Sequence, residues 1–210
     1  AEPDRRWTNL VHAHELYCAG HMFEAAVAHY RATGKTTFLD VACNFADYID
    51  EVFGDEPGKR HGIPGHPELE LALVKLWRAT GEDRYLELAR FFVEEHGNDE
   101  HRSLMGGYCQ DHLPVREQTE PVGHAVRFLY FFSGVADLAV VDGDIEGLQS
   151  MLTADPALIH RCSPEAHRAR LLHYIAANGV ENHLQRTPPN AAEVCRLLLK
   201  SGADVDSPCE

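Results

Sequence analysis

The sequence predicts an all-α protein assembled from helical hairpins. Three observations carry that expectation: apolar residues recur at three- and four-residue spacing, glycines fall where those runs stop, and one short motif returns at a fixed interval. Arg31-Ala32-Thr33-Gly34 reappears as Arg78-Ala79-Thr80-Gly81, an offset of 47. The same offset aligns Tyr30 with Trp77, Leu39 with Leu86, Ala42 with Ala89 and Phe45 with Phe92. Two helices per such period make an array of αα-hairpins, whose units bury their faces only by stacking or by closing into a ring.

From Glu15 to Arg31 the residues Leu16, Ala19, Phe23, Ala26, Val27 and Tyr30 mark one helical face. From Thr36 to Phe53, Phe38, Leu39, Ala42, Phe45, Ala46 and Ile49 mark a second, and Gly34 between them suits a helix C-terminus. Pro67 and Glu68 suit the first turn of a third helix, to which Leu69, Ala72, Leu73 and Leu76 give a buried face. A third hairpin opens at Gly123-His124-Ala125-Val126, after a break at Gly106-Gly107 and the Leu113-Pro114 loop. After Ala139 the spacing changes to that of shorter helices, which divides the chain into residues 1–139 and 140–210.

The chain has 210 residues and a formal charge of −14, which argues against binding a nucleic-acid backbone. No apolar run reaches the roughly 18 residues a membrane helix needs, so no membrane role is expected. The start, Ala1 to Arg6, has no apolar leader, and six scattered cysteines include no C-x-x-C pair. A cytoplasmic location with reduced thiols is therefore expected.

Fourteen histidines are the compositional feature that points to chemistry. His14, Cys18 and His21 fall on one helical face with Glu24 a turn further, but ligands on one straight helix rarely converge tetrahedrally. Glu193-Val194-Cys195 sits in an amphipathic helix, and no metal site is assigned to either group. Glu94-Glu95 and Glu68/Glu70 read as solvated helix faces. No residue reads as a credible nucleophile, so no catalytic residue is assigned. His66 and His124 each follow a glycine at a helix start, where an imidazole serves either a ligand or the nearby backbone.

Four segments then add a resemblance: Asn9-Leu10-Val11-His12-Ala13-His14-Glu15-Leu16-Tyr17-Cys18-Ala19-Gly20-His21, Gly62-Ile63-Pro64-Gly65-His66-Pro67-Glu68-Leu69-Glu70, Pro114-Val115-Arg116-Glu117-Gln118, and Gly123-His124-Ala125-Val126-Arg127 running on to Asp137. In this order over residues 1–139 they resemble glycoside hydrolase family 127, the β-L-arabinofuranosidases. The resemblance implies an (α/α)6 barrel, incomplete here at about three of its six hairpins. It also implies that His14, His66 and His124 bind an L-arabinofuranosyl sugar. A neutral imidazole donates at one nitrogen and accepts at the other, which suits vicinal hydroxyls.

The family's retaining chemistry places a zinc-bound cysteine thiolate where most glycosidases use a carboxylate nucleophile. Its Gly-Glu-Ala-type acid/base segment, Glu-x-Cys zinc pair and Cys-Cys pair lie beyond the matched stretch. Zn2+ is thus expected in the complete family enzyme, with its ligands missing from this chain, and the chain alone is expected to be inactive. A sugar epimerase of the same (α/α)6 architecture, using the three histidines as acids and bases, is the alternative enzyme reading. The aromatic run Phe128 to Phe132 is expected to be left exposed where further hairpins would cover it.

Residues 140–210 resemble ankyrin repeats, with a partial unit near 143–160 and a full one at about 167–202. There Arg170-Leu171-Leu172-His173 stands where that family has Thr-Pro-Leu-His, and Gly179 and Gly202 stop the two helices. This resemblance implies a structural role for His173 and a surface for a protein partner.

Overall fold

The computed structural model describes residues 3–160 and 188–205. Among them the regular structure is helical, with only isolated bridges at Phe53–Arg60 and Gly106–Asp111. The chain divides into two units, residues 1–135 and 136–210. No helix among the described residues is long and apolar enough to cross a membrane.

The first unit opens with two hairpins. Helix α1 (Glu15–Thr33) turns at Gly34 into α2 (Thr37–Val52), and α3 (Leu69–Thr80) turns at Gly81 into α4 (Asp83–Glu95). The repeated motif closes both in the same way. Gly34 (φ 68°) donates its N–H to the Tyr30 carbonyl at 2.7 Å, and Gly81 (φ 77°) donates to Trp77 at 2.7 Å. Left-handed backbone at the residue after a helix is strained for side chains with a Cβ, which is why the motif ends in glycine.

Helices α1, α2 and α4 each bury one face, as their apolar spacing predicts. Helix α3 is different: every residue from Leu69 to Trp77 is buried, Glu70 and Lys75 included. It packs against α1 and α4, and a fifth helix, α5 (Ala125–Asp142), reaches its first turn. Two glycines permit the approach. A Cβ on Gly20 of α1 would stand 2.8 Å from the Glu68 Cγ, and one on Gly134 of α5 would stand 3.1 Å from the Glu70 Cβ.

This packing corrects the reading of the paired carboxylates. Glu68 and Glu70 are fully buried and Glu95 is 2% exposed, so of those four acids only Glu94 is a solvated position. The aromatic run of α5 is also less exposed than expected. Phe131 is fully buried, with its ring 4.1 Å from that of the buried His96, while Val126 and Leu129 remain exposed.

The segment between α4 and α5 is fixed by one carboxylate. Arg102 grips Asp111 with two hydrogen bonds of 2.7 Å, and Asp111 also accepts the backbone N–H groups of Gly97 at 2.7 Å and Met105 at 2.6 Å. Burial alone would raise the Asp111 pKa, but the Arg102 hydrogen bonds and the two backbone donors outweigh it and hold the carboxyl below its ordinary range. Gln118 donates to the carbonyls of Gln110 and Leu113, and Gln110 donates to that of Val122, which delivers the chain to the start of α5.

In the second unit, Asp144 caps α6 (Ile145–Ala154) by accepting the Gly147 N–H at 2.9 Å. A short 3-10 turn (Pro156–His160) follows, and α7 spans Ala191–Lys200. Leu148 of α6 and Val194 and Leu198 of α7 are fully buried, and the Asn190 side chain donates to the Gly143 carbonyl at 2.7 Å. Most of the expected ankyrin-like unit at 167–202, with His173 and Gly179, lies outside the described residues.

Asp111→Ala leaves the Arg102 guanidinium, 9% exposed, without its main counter-ion. We expect a loss of about 3–5 kcal/mol in urea denaturation, and a loss under about 1 kcal/mol would contradict the clamp. Because the folded pKa of Asp111 is depressed, this contribution is present above the unfolded value near 3.9 and disappears as pH falls through the folded one.

Candidate functional site

Three helices bring the predicted histidines together. His14 is the residue immediately before α1, His124 the residue immediately before α5, and His66 precedes α3 by three positions. The His14 and His66 ring centroids lie 6.3 Å apart, and those of His66 and His124 lie 6.4 Å apart. All three are half-buried. They are far apart in sequence and adjacent in space because each stands at the N-terminal end of a helix that contributes to one packed unit.

The backbone conformation at each position serves this convergence. His14 itself adopts left-handed backbone (φ 57°), an uncommon state for a residue with a Cβ. Gly65, beside His66, donates its N–H to the Leu10 carbonyl at 3.0 Å, and a Cβ there would sit 2.5 Å from the Val11 backbone. Gly123 has φ 78°, and a Cβ on it would stand 2.0 Å from the Gly107 carbonyl oxygen. Each glycine sets the backbone that carries the following imidazole.

The hydrogen-bond partners fix which ring nitrogen holds the proton. His14 Nδ1 lies 2.6 Å from the His12 carbonyl and His66 Nδ1 lies 3.0 Å from the Pro67 carbonyl. A carbonyl only accepts, so both Nδ1 atoms carry hydrogen, and in the neutral ring each Nε2 is an acceptor. His124 has the opposite polarity: its Nδ1 accepts the Arg127 N–H at 3.5 Å, which leaves Nε2 as the donor of the neutral ring. The cluster thus offers two acceptors and one donor. A hydroxyl group can both donate and accept, so a sugar meets this pattern with adjacent hydroxyls.

Arg127 orders two of the three rings. Besides the contact to His124, its guanidinium donates to the Gly65 carbonyl at 2.6 Å and to the Cys109 sulfur at 3.1 Å. It also lies 4.3 Å from the centre of the Tyr108 ring. Burial lowers the His66 pKa, and the charge of Arg127 and the neighbouring His14 and His124 lower it further.

Spacing alone missed the aromatic walls and the buried charges. Tyr17 lies 4.4 Å from His66 and 4.4 Å from His21, and Tyr130 lies 5.9 Å from His66 and 6.0 Å from His21. Behind His21 lie Glu24, Glu68 and Lys75, with Lys75 ion-paired to Glu24 and His21 facing both carboxyl groups. Tyr17 and Glu68 belong to the very segments that carry the two histidine motifs, and that was the available signal. Cys18, one residue from Tyr17, is exposed.

Metal ligation tests the family's zinc against these residues. Among the described residues, His/Cys/Asp/Glu groups with converging ligand atoms are His21–Glu24–Glu68 and Asp55–His61–Glu95. Neither contains a thiol, and the helical set His14–Cys18–His21 does not converge. These residues do not fit a zinc-thiolate centre. A separate groove of about 710 Å³ lies between the N-terminal segment and α1, lined by Arg6, Trp7, Asn9, Glu15 and Met22 among others and by none of the three imidazoles.

Helical hairpins with imidazole and phenol groups gathered near their helix starts are the arrangement of a helical-barrel fold. The family model of the β-L-arabinofuranosidase GH127 catalytic domain matches residues 1–154, and the chain belongs to that family. It is 41% identical over 157 residues to a non-reducing end β-L-arabinofuranosidase of Bifidobacterium longum subsp. longum, covering 66% of this chain and 24% of that protein. A GH127 β-L-arabinofuranosidase from Geobacillus stearothermophilus T6 superposes with a TM-score of 0.68 at 41% identity, over 79% of this chain and 28% of that one. A second GH127 β-arabinofuranosidase gives 0.67 at 42% identity, over 75% of this chain and 24% of its own. The chain therefore spans about a quarter of the length of these relatives. The matches favour the hydrolase family over the epimerase alternative.

The His66 titration tests the electrostatics directly. Ring-selective 15N NMR is expected to place its midpoint below the ordinary 6.5, with hydrogen on Nδ1 at neutral pH. A midpoint at or above 6.5 would contradict the arrangement.

Proposed function

We propose that the His14–His66–His124 cluster recognises the L-arabinofuranosyl unit of a β-L-arabinofuranoside, and that residues 1–139 supply this recognition. The observation that carries the reading is the convergence of three imidazoles, from helix starts far apart in sequence, with complementary hydrogen-bond polarity. Family membership supplies the sugar: the curated relative is named for β-L-arabinofuranose at a non-reducing end.

His14 and His66 accept from sugar hydroxyls through Nε2, and His124 donates through its own Nε2. Tyr17 and Tyr130 present ring surface to the ring's apolar face. His66 must be neutral to accept, and its depressed pKa keeps it so around neutrality. Bond cleavage is not assigned to any residue of this chain, because the zinc-thiolate nucleophile of the family has no fitting ligand set among the described residues. The reading rests on the first unit and places no protein partner on residues 140–210.

Calorimetric titration with methyl β-L-arabinofuranoside tests it. His14→Ala and His66→Ala are each expected to weaken binding about tenfold, since each removes a buried hydrogen-bond partner. His101→Ala, outside the cluster, serves as the control. Hydrolysis of an aryl β-L-arabinofuranoside by this chain is expected to be undetectable with or without added zinc. Turnover that depends on His14 would overturn the assignment of recognition without catalysis. Binding that ignores both histidine substitutions would overturn the site.

A further inference from the structure

Beneath the imidazoles lies a buried set of charges that the sugar reading does not use. α1 contributes His21 and Glu24, the start of α3 contributes Glu68, Glu70 and Lys75, and α5 presents the Tyr130 phenol. Glu68 is fully buried, and its carboxyl oxygens make no strongly directional hydrogen bond to the described residues; the carboxyl faces that of Glu24, with ligand oxygens of the two within 4.8 Å. His21 also faces it: His21 Nδ1 stands 3.3 Å from Glu68 Oε1 and 3.5 Å from Glu24 Oε2. Gly20, next to His21 on α1, packs directly on the Glu68 side chain.

The charges can be matched one by one. Lys75 pairs with Glu24. His96 places Nε2 3.2 Å from Glu70 Oε1 and Nδ1 3.0 Å from the Gln110 carbonyl, so a proton lies on each nitrogen or on Glu70 between them. Glu70 also accepts the Glu68 backbone N–H at 3.0 Å. Ionised, Glu68 would then be a further carboxylate in a buried group where the Lys75 ammonium already faces Glu24 and the His96 ring already faces Glu70. A buried carboxyl group in that position neutralises by keeping its proton.

We propose that Glu68 is a neutral carboxylic acid that shares its proton with Glu24 and positions His21, and through the Tyr17 and Tyr130 rings His66, beneath the sugar site. The positioning half of this inference rests on the sugar reading above; the protonation half does not. The carboxyl of Glu68 is pushed up to about 10, by burial first and then by the facing Glu24 carboxyl and its charge. Burial acts in the same upward direction on Glu24, yet the facing Glu68 carboxyl and the charge and hydrogen bond of Lys75 leave it below its ordinary value. The two shifts are opposite, which puts the shared proton on Glu68 and the negative charge on Glu24 beside Lys75.

The contacts that transmit this are the Tyr17 ring, edge-on to His21 and 4.4 Å from His66, and the Tyr130 ring, which touches both histidines. A carboxylate at Glu68 would pull the His21 ring away from Tyr17; a neutral acid leaves the stack in place. His21, Glu24 and Glu68 also hold ligand atoms within 4.8 Å of one another, a spacing that a divalent cation can span. The Lys75 ammonium already at Glu24 favours the proton over the cation.

Infrared difference spectroscopy on the full chain near pH 7 separates these cases. A carboxylic-acid C=O stretch is expected in the unmodified protein and its loss is expected in Glu68→Gln. The band is also expected to vanish in Glu24→Gln, where Glu68 remains but becomes the partner of Lys75 and ionises. That second variant decides the question if Glu68→Gln fails to fold. Glu68→Ala is expected to weaken methyl β-L-arabinofuranoside binding about tenfold, with Glu68→Gln recovering most of the loss because the amide mimics the protonated acid. No acid band in the unmodified protein, or one equivalent of a divalent metal found by elemental analysis and lost in Glu68→Gln, would overturn the inference. Equal weakening by Gln and Ala would overturn the positioning role. If the unmodified chain binds no sugar, the positioning role falls with the sugar reading, while the acid band still decides the protonation.

Discussion

The first unit depends on the burial of the start of α3. Glu68, Leu69 and Glu70 have no exposed surface, with Gly20 of α1 and Gly134 of α5 packed onto them. A methyl group at either glycine would meet backbone or Cβ atoms at about 3 Å, so the two helices reach α3 only because those side chains are missing. That approach brings the ends of three helices together, and with them His14, His66 and His124. It also forces polar groups into the interior. Lys75, His96, Arg102 and Arg127 each face an acceptor there, as buried polar groups must.

Much of this architecture was legible in the sequence, for identifiable reasons. The repeated Arg-Ala-Thr-Gly motif encodes the same left-handed stop at Gly34 and Gly81, and one-sided helices such as α2 and α4 announce their buried faces by spacing. Helix α3 defeated the same logic. It is buried all round, so Glu70 and Lys75 look like surface residues in the pattern while sitting in the core. Periodicity records where apolar residues are; it says nothing of a charge that has found its partner in another helix, as Lys75 has in Glu24.

The candidate site divides along the same line. The three histidines were recognisable through the family resemblance of the motifs that carry them, since a helix-start position alone leaves an imidazole free to serve the nearby backbone. Their tautomers were not, since these depend on the His12 and Pro67 carbonyls and on the Arg127 backbone N–H, which only the folded chain places. Glu68 read as a solvated helix face and Tyr130 as part of an exposed aromatic run, because an aromatic or acidic residue on a helix is ordinary until its neighbours are known. The proposed recognition site combines imidazoles of set polarity with aromatic rings and a buried set of matched charges. The chain covers about a quarter of the length of its family relatives.

The most direct test of the account is a histidine-selective 15N NMR spectrum recorded while methyl β-L-arabinofuranoside is added. The Nε2 resonances of His14, His66 and His124 should move together and saturate at one ligand concentration, with those of His29 and His101 unchanged. Movement confined to other histidines, or none at saturating sugar, would show that the three imidazoles converge for a purpose other than sugar recognition.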